Sequence, residues 1–224
     1  MRTFVIGTLA ITALCATAMQ AQESEGIKPT LSLKVGIPVT DMFSASNTTL
    51  FGGQNQISSS PYASAVPRYT FGAGAEFHLP AHLRFEVDGL YKRGGFNSYN
   101  IVGDGAYRPT NFNWWEVPGV FKINFAMGHF RPFVDVGASL RHISTIRQTT
   151  FAPAAFQGVI TDNALELHNR NSFGGVAGIG FTFKKGPFEL TPEARYTRWA
   201  NQAFVGPGLR TNLDQGDILL GIGF

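Results

Sequence analysis

The chain has 224 residues, which suits one domain or one barrel of moderate size. Charged residues make up only 15% of it, below the quarter that is usual for a soluble domain, whereas glycine (26 residues) and phenylalanine (20) are abundant. The small formal net charge of +3 gives no argument for a nucleic-acid partner. Low charge combined with many aromatic residues is typical of a sheet that meets lipid.

The N-terminus has the pattern of a cleaved signal peptide, which we place at residues 1–21. Arg2 supplies the positive charge, Phe4 to Ala16 is apolar, and small residues allow cleavage after Ala18 or Ala21. The single cysteine lies inside this segment. The predicted mature domain, residues 22–224, therefore cannot form a disulfide or use a thiolate.

Eight later segments alternate between apolar and polar residues, as β-strands with two different faces do. They lie at about residues 30–39, 69–79, 83–92, 115–125, 131–141, 173–183, 188–196 and 217–224. In the first, Leu33 and Val35 belong to the apolar row and Lys34 to the other. The same phase holds in all eight, so the sequence predicts an all-β fold of eight antiparallel up-and-down strands.

Charges in these segments fall on the polar row alone. We predict a network among Glu76, Arg84, Glu86, Asp88, Glu116, Lys122, Arg131, Asp135, Arg141, Glu189, Glu193 and Arg195. Lys34, Lys92 and Asp217 share this row, so acids and bases nearly balance. Because a charge in a narrow lumen needs a counter-charge, this balance favours a plugged interior over an ion-selective pore.

The connections between the segments alternate in length. Long links are predicted at residues 40–67, 94–112, 146–171 and 200–214, and short ones at 80–82, 126–129 and 184–187. Long loops on one side and tight turns on the other are typical of outer-membrane barrels. An even number of strands places both chain ends on the side of the short turns.

Alternation alone does not decide which row faces outward. A soluble, exported lipocalin-like binder would have its apolar row inside. Glycine on the polar row favours a narrow lumen that must make space for long side chains. Aromatic residues near the strand ends suit the two interfacial girdles of a membrane barrel; they are Tyr69, Tyr91, Trp114, Trp115, Tyr196 and Trp199.

The last segment, Asp217-Ile218-Leu219-Leu220-Gly221-Ile222-Gly223-Phe224, resembles the C-terminal strand of bacterial outer-membrane barrels. Segments 115–122, 131–138 and 192–199 also resemble this family, in particular the small OmpA-, OmpX- and OmpW-like barrels. The resemblance implies an outer-membrane location and contact with outer-membrane lipid and lipopolysaccharide. It also implies that the assembly machinery reads Phe224.

The resemblance carries no active site, and we expect no enzymatic activity, cofactor or metal. The leading function is a barrel whose long loops serve adhesion, interaction or envelope integrity, with an unknown loop ligand. A narrow channel for small solutes is an alternative.

A third possibility is an outer-leaflet lipid A acyl hydrolase. His142 and Ser144 resemble the His-x-Ser pair of lipid A deacylases, with Ser144 as nucleophile and His142 as base, oriented by Glu166. Thr145 stands where that family has Asn. His78 and His82 flank a short turn, where we expect solvated side chains rather than a metal site.

Overall fold

The computed structural model describes most of the chain that follows the predicted signal peptide. The described residues are 29–45, 48–49, 58–59, 62–64, 69–80, 83–99, 106–125, 130–151, 158–206 and 209–224. The predicted signal peptide and the start of the mature domain at residue 22 lie outside them. Among the described residues there is no candidate for a membrane-spanning helix.

Eight antiparallel strands close into a barrel. They are β1 (Pro29–Pro38), β2 (Thr70–His78), β3 (Leu83–Tyr99), β4 (Tyr107–Asn124), β5 (Phe130–Thr150), β6 (Asn171–Lys185), β7 (Phe188–Trp199) and β8 (Asp214–Gly223). Each strand pairs with the next, and β8 pairs with β1. Closure lets the sheet satisfy its own backbone hydrogen bonds, as a segment in lipid requires. The predicted eight-stranded up-and-down barrel is confirmed.

The two faces of the barrel wall have opposite chemistry. Outward-facing Val136 and Ile179 are 62% and 63% exposed, whereas inward-facing Lys34 and Asp88 are only 2% and 1% exposed. A large, continuous apolar outer surface suits lipid and is unfavourable in water. The predicted phase is therefore confirmed, and the inverse arrangement of a lipocalin-like soluble barrel is not observed.

Strands β3, β4 and β5 extend well past their predicted ends. β3 reaches Tyr99, β4 begins at Tyr107 and β5 reaches Thr150, so the loop predicted at residues 94–112 is really two strand ends around a short connection. The prediction was wrong here because the polarity of the two rows inverts. In these extensions large apolar residues such as Phe96 and Phe112 face inward beside a few buried polar ones, and the outward residues are mostly polar.

A β-bulge accompanies this inversion on β5. Asn113 of β4 pairs with Thr145, and the next residue, Trp114, pairs with Ile143, so Ser144 has no partner in the register. The extra residue lets Ile143 and Ile146 both face inward, where each is at most 2% exposed. The extended hairpins thus have the apolar-inside pattern of a water-soluble sheet.

Short strands surround the long-loop end of the barrel. Tyr62–Ser64 pairs with the end of β3, and Val159–Thr161 pairs with the end of β5. A three-stranded sheet is formed by Phe43–Ala45, Val205–Gly206 and Leu209–Thr211. Thr48–Thr49 pairs with Ser58–Ser59. Phe43, Ala164 and Phe204 of the first, third and fourth long links are buried together at the mouth of the lumen.

Candidate functional site in the barrel interior

The interior begins, at the short-turn end, with a group of charges that is partly accessible to solvent. Arg84 donates to Glu76 at 2.5 Å and lies 3.9 Å from Glu189. Lys184, whose side chain is 47% exposed, donates to Glu189 at 2.9 Å. A cavity of about 20 Å³, room for roughly one water, lies beside them. This end of the lumen is the side on which charges still meet solvent.

The middle of the barrel holds a buried cluster of opposite charges. Lys34 donates to Glu86 at 2.5 Å and to Asp88 at 2.8 Å. Arg195 donates to Glu193 at 2.5 Å, to Asp88 at 2.9 Å and to Glu86 at 3.3 Å. All five side chains are at most 5% exposed. Strands β1, β3 and β7 are thereby bridged across the lumen.

Lys122 joins the same cluster from β4, donating to Glu86 at 2.8 Å, and its ammonium lies 4.5 Å from the centre of the Phe133 ring. Asp135 is 4% exposed and makes no side-chain hydrogen bond with a described residue. It lies against Gly178, where an added Cβ would be 2.5 Å from Oδ2. The predicted role of glycine on this row, to make space for lumen side chains, is confirmed at this position.

Arg131 differs from the other predicted network residues. It is only half-buried and makes no ion pair with any described residue. The remaining eleven are buried or half-buried on the inner face, and ten of them contact an opposite charge within the described part of the chain, Asp135 being the other exception.

A third group of charges lies nearer the long-loop end. Lys92 lies 2.9 Å from Asp217 and 2.7 Å from Glu116. Arg141 donates through Nε to Glu116 at 3.2 Å and through a terminal nitrogen to Gln215. Strands β3, β4, β5 and β8 are joined by these contacts.

Two tryptophans cover this group on the side of the long loops. Arg141 stacks on the Trp199 ring, with 3.7 Å between the guanidinium carbon and the ring centre. Trp114 donates through Nε1 to Glu116 at 2.8 Å, and Trp199 donates to Gln215 at 3.2 Å. The assignment of Trp114 and Trp199 to the outer girdle was wrong, since both are at most 5% exposed inside the barrel. They belong to the inward row at the level where it becomes apolar.

Beyond Trp199, toward the long-loop end, the lumen is filled by an apolar cap that includes Trp114 and that the sequence analysis missed. Its buried members are Phe43, Phe96, Phe112, Trp114, Ile143, Ile146, Ala164, Ala203, Phe204 and Leu209. The rings pack closely, with centroids 4.7 Å apart for Phe112 and Phe204 and 5.1 Å apart for Phe43 and Phe96. The inversion of the two rows beyond Lys92 and Arg141 is the signal that could have revealed this cap.

One buried carboxylate fastens the cap to the wall. Glu166 is 7% exposed and accepts a hydrogen bond from Gln148 Nε2 at 3.0 Å. Burial, together with the charge and hydrogen bond of Glu166, raises the pKa of Tyr62 to about 12. The phenol therefore stays protonated and can donate to Glu166. Residues from the first and third long links meet in this contact.

The candidate hydrolase residues lie on the other side of the wall. His142 is exposed on the outer face, with Nδ1 2.7 Å from Asn171 Oδ1, and Ser144 donates to the Asn113 carbonyl at 3.2 Å. Glu166 lies inside the barrel. The structure therefore does not bring this carboxylate to His142.

Two further predicted features concern single residues. Phe224 is 61% exposed, and its backbone N–H donates to the Leu31 carbonyl at 3.0 Å; its reading by the assembly machinery stays a prediction. His78 is exposed at the end of β2, and His82 lies outside the described residues. The described part of the chain contains no group of three or more histidine, cysteine or acidic residues placed to hold a metal ion.

Solved structures similar to this one include small outer-membrane barrels. The outer membrane protein OprG from Pseudomonas aeruginosa is 13% identical, with a TM-score of 0.53, and the match covers 88% of this chain and 93% of that chain. Neisserial surface protein A is 14% identical, with a TM-score of 0.46 and coverage of 89% and 98%. Ail, the attachment invasion locus protein of Yersinia pestis, is 12% identical, with a TM-score of 0.44 and coverage of 89% and 98%.

No protein-family model and no curated protein sequence matches the chain. At these identities the similarity concerns the fold. It confirms that the chain folds as a small eight-stranded barrel of the outer-membrane type, as its sequence predicted.

Proposed function

We propose that this chain is an integral outer-membrane barrel with a closed lumen and without enzymatic activity. It acts through surfaces exposed outside the membrane, in adhesion, other interactions or envelope integrity. The observation that carries this proposal is the filled interior, which combines a buried charge network with an apolar cap.

Two barriers in series oppose passage of a hydrated solute. At mid-barrel, Lys34 and Arg195 bridge the lumen to carboxylates on β3 and β7. Separating one such pair would leave a buried charge with a penalty of several kcal/mol. Beyond it, the stacked Arg141 and Trp199 and the phenylalanine cap would have to move as well. An eight-stranded barrel is just wide enough for side chains to fill, which agrees with this packing.

The long-loop end is the part that offers surface for interaction. β3, β4 and β5 extend beyond the barrel wall, and short strands add to both edges of this extension. By the loop asymmetry of outer-membrane barrels, this end faces the cell exterior. A rigid lumen would then serve as the support for an exposed sheet.

Conductance tests the closed lumen. Purified protein in planar bilayers should give no steady current, beside a porin that conducts under the same conditions. A stable, ohmic, nanosiemens-scale channel from the wild-type protein would reject the closed lumen and favour the solute channel.

A separate assay tests the absence of enzymatic activity. Lipid A incubated with the wild-type protein should keep all its acyl chains in mass spectra. Loss of a chain with wild type but not with Ser144→Ala would establish the hydrolase instead.

A further inference from the structure

The outer face of the β3–β5 extension carries a polar surface directly above the aromatic girdle. Tyr91 and Trp115 face outward with ring centroids 5.2 Å apart, and the register aligns them with His142. The next outward position on each strand is polar: Arg93 pairs with Asn113. Outward-facing tyrosine and tryptophan mark the level of lipid headgroups. The polar surface starts about 7 Å further along the strands, two residues at about 3.3 Å each.

This surface, here called the arginine patch, consists of Arg93, Asn111, Asn113, Ser144, Thr145 and Arg147. Its two guanidinium groups are exposed, and neither forms an ion pair with a described residue. The other members offer amide and hydroxyl groups but no carboxylate. The patch therefore carries two positive charges, just beyond the aromatic girdle, that form no ion pair within the described part of the chain.

The spacing of the two arginines suits one multiply charged ligand. Arg93 lies on β3 and Arg147 on β5, with β4 between them. Two strand spacings across and two residues along give a Cα separation of about 12 Å. Both side chains are long enough to extend across the outer surface toward β4. There Asn111 and Asn113 would supply neutral hydrogen bonds to the same ligand.

The choice of cation points to phosphate. Exposed Lys184 and Lys185 lie at the end of β6, beside the short turn to β7, whereas the exposed cations of the patch are arginines. Arginine binds phosphate through two parallel hydrogen bonds, which lysine cannot do. On the opposite side of the barrel, Arg198 also stands two residues beyond an outward tyrosine, but it donates to Asp214 at 2.6 Å. Its charge is compensated, so it serves as a matched control.

We propose that the arginine patch binds the phosphate groups of the phosphorylated glycolipid of the outer leaflet, lipopolysaccharide. This inference rests on the proposed outer-membrane orientation. It does not depend on whether the lumen conducts, so the conductance assay and the binding assay described next can fail separately.

Full-length protein in phosphatidylcholine nanodiscs provides the test. Native mass spectrometry and titration should detect binding of bisphosphorylated lipid A. Arg93→Ser combined with Arg147→Ser should weaken this binding at least tenfold, and Arg198→Ser should leave it within about twofold. Lipid A from which both phosphates have been removed should bind wild type as weakly as bisphosphorylated lipid A binds the double variant.

Folding of each variant is checked by its heat-dependent gel mobility, since these exposed positions should tolerate serine. Equal weakening by Arg198→Ser would show a general charge effect and overturn the proposal. Equal affinity for phosphatidylglycerol would also overturn it, because any anionic lipid would then suffice. Unchanged affinity in the double variant would place the glycolipid elsewhere.

Discussion

Replacing Arg195 by methionine should strongly destabilise the barrel, because it removes a charge that three acids share. Its guanidinium contacts Glu193, Asp88 and Glu86 at 2.5, 2.9 and 3.3 Å, and its side chain is 2% exposed. Methionine keeps an apolar stem of similar length but leaves a surplus of buried negative charge beside Lys34 and Lys122. Removing one partner of a buried pair costs about 3–5 kcal/mol of unfolding free energy.

Removing a charge of each sign should be less harmful than removing one. In Arg195→Met combined with Glu193→Gln, one charge of each sign is removed, so the net charge of the cluster returns to its wild-type value while Glu86 and Asp88 remain opposite Lys34 and Lys122. We expect this double variant to recover at least half of the loss, leaving a deficit of about 1–2 kcal/mol. Arg131→Met is the control, with an expected change below about 1 kcal/mol, because Arg131 is half-buried and forms no ion pair with a described residue.

Urea titration in lipid vesicles measures these changes, with tryptophan fluorescence and gel mobility as independent probes of unfolding. The explanation by charge balance requires the order wild type, double variant, Arg195→Met from most to least stable. A double variant less stable than Arg195→Met, or an Arg195→Met variant within about 0.5 kcal/mol of wild type, would refute it.

Three further changes test the surfaces and the cap. Ile179→Arg, on the lipid-facing row, should cost about 2–4 kcal/mol in bilayers, whereas Thr145→Arg, above the girdle, should cost almost nothing; equal costs would misplace the lipid boundary. Trypsin added to intact cells should cut at exposed Arg170 and spare Lys184 and Lys185. Cleavage at these two lysines alone would show that the barrel has the opposite orientation. The folded state holds the pKa of Tyr62 above its ordinary value of 10, near 12, so its stabilising contribution is complete below pH 10 and disappears as the pH rises through 12. The difference in phenolate absorbance between wild type and Tyr62→Phe should show this titration, and Glu166→Gln should lower its midpoint; an unchanged midpoint would exclude the Glu166 contribution.

The membrane-spanning part of the fold could be predicted from the sequence because one physical rule governs it. Lipid outside and a narrow lumen inside force apolar and polar residues to alternate with one phase, as at Leu33, Lys34 and Val35. The positions of the charges on the inner face followed from the same rule. The individual partners of these charges could not be predicted, because Lys34 pairs with acids on β3 and β7 that lie more than fifty residues away in the sequence.

Part of the cap could not be predicted because it comes from separate links with no shared periodicity, whereas Phe96 and Phe112 follow the inverted alternation of β3 and β4. Phe43, Ala164 and Phe204 lie in three different connections, and only closure of the barrel brings them together. Trp114 and Trp199 were misassigned because a tryptophan near a strand end fits an interfacial girdle and a lumen lid equally well by composition. The alternation of residues along the strand distinguishes the two positions, because neighbouring residues face opposite sides: Trp115 faces outward and Trp114 inward.

The inversion of polarity along β4 and β5 links the two main features of the molecule. Below Trp115 the strands have lipid outside, so their polar groups must face the lumen and neutralise one another there. Above it the strands have water outside, so their polar groups face outward and their apolar groups meet across the lumen. The apolar cap and the arginine patch are therefore two faces of the same strand segments, in which Phe112 faces inward between outward Asn111 and Asn113. Because burial of the inner face holds the extension rigid, the cap also fixes the geometry of the outer patch, and cap substitutions such as Phe112→Ala should weaken lipid A binding without removing any residue of the patch.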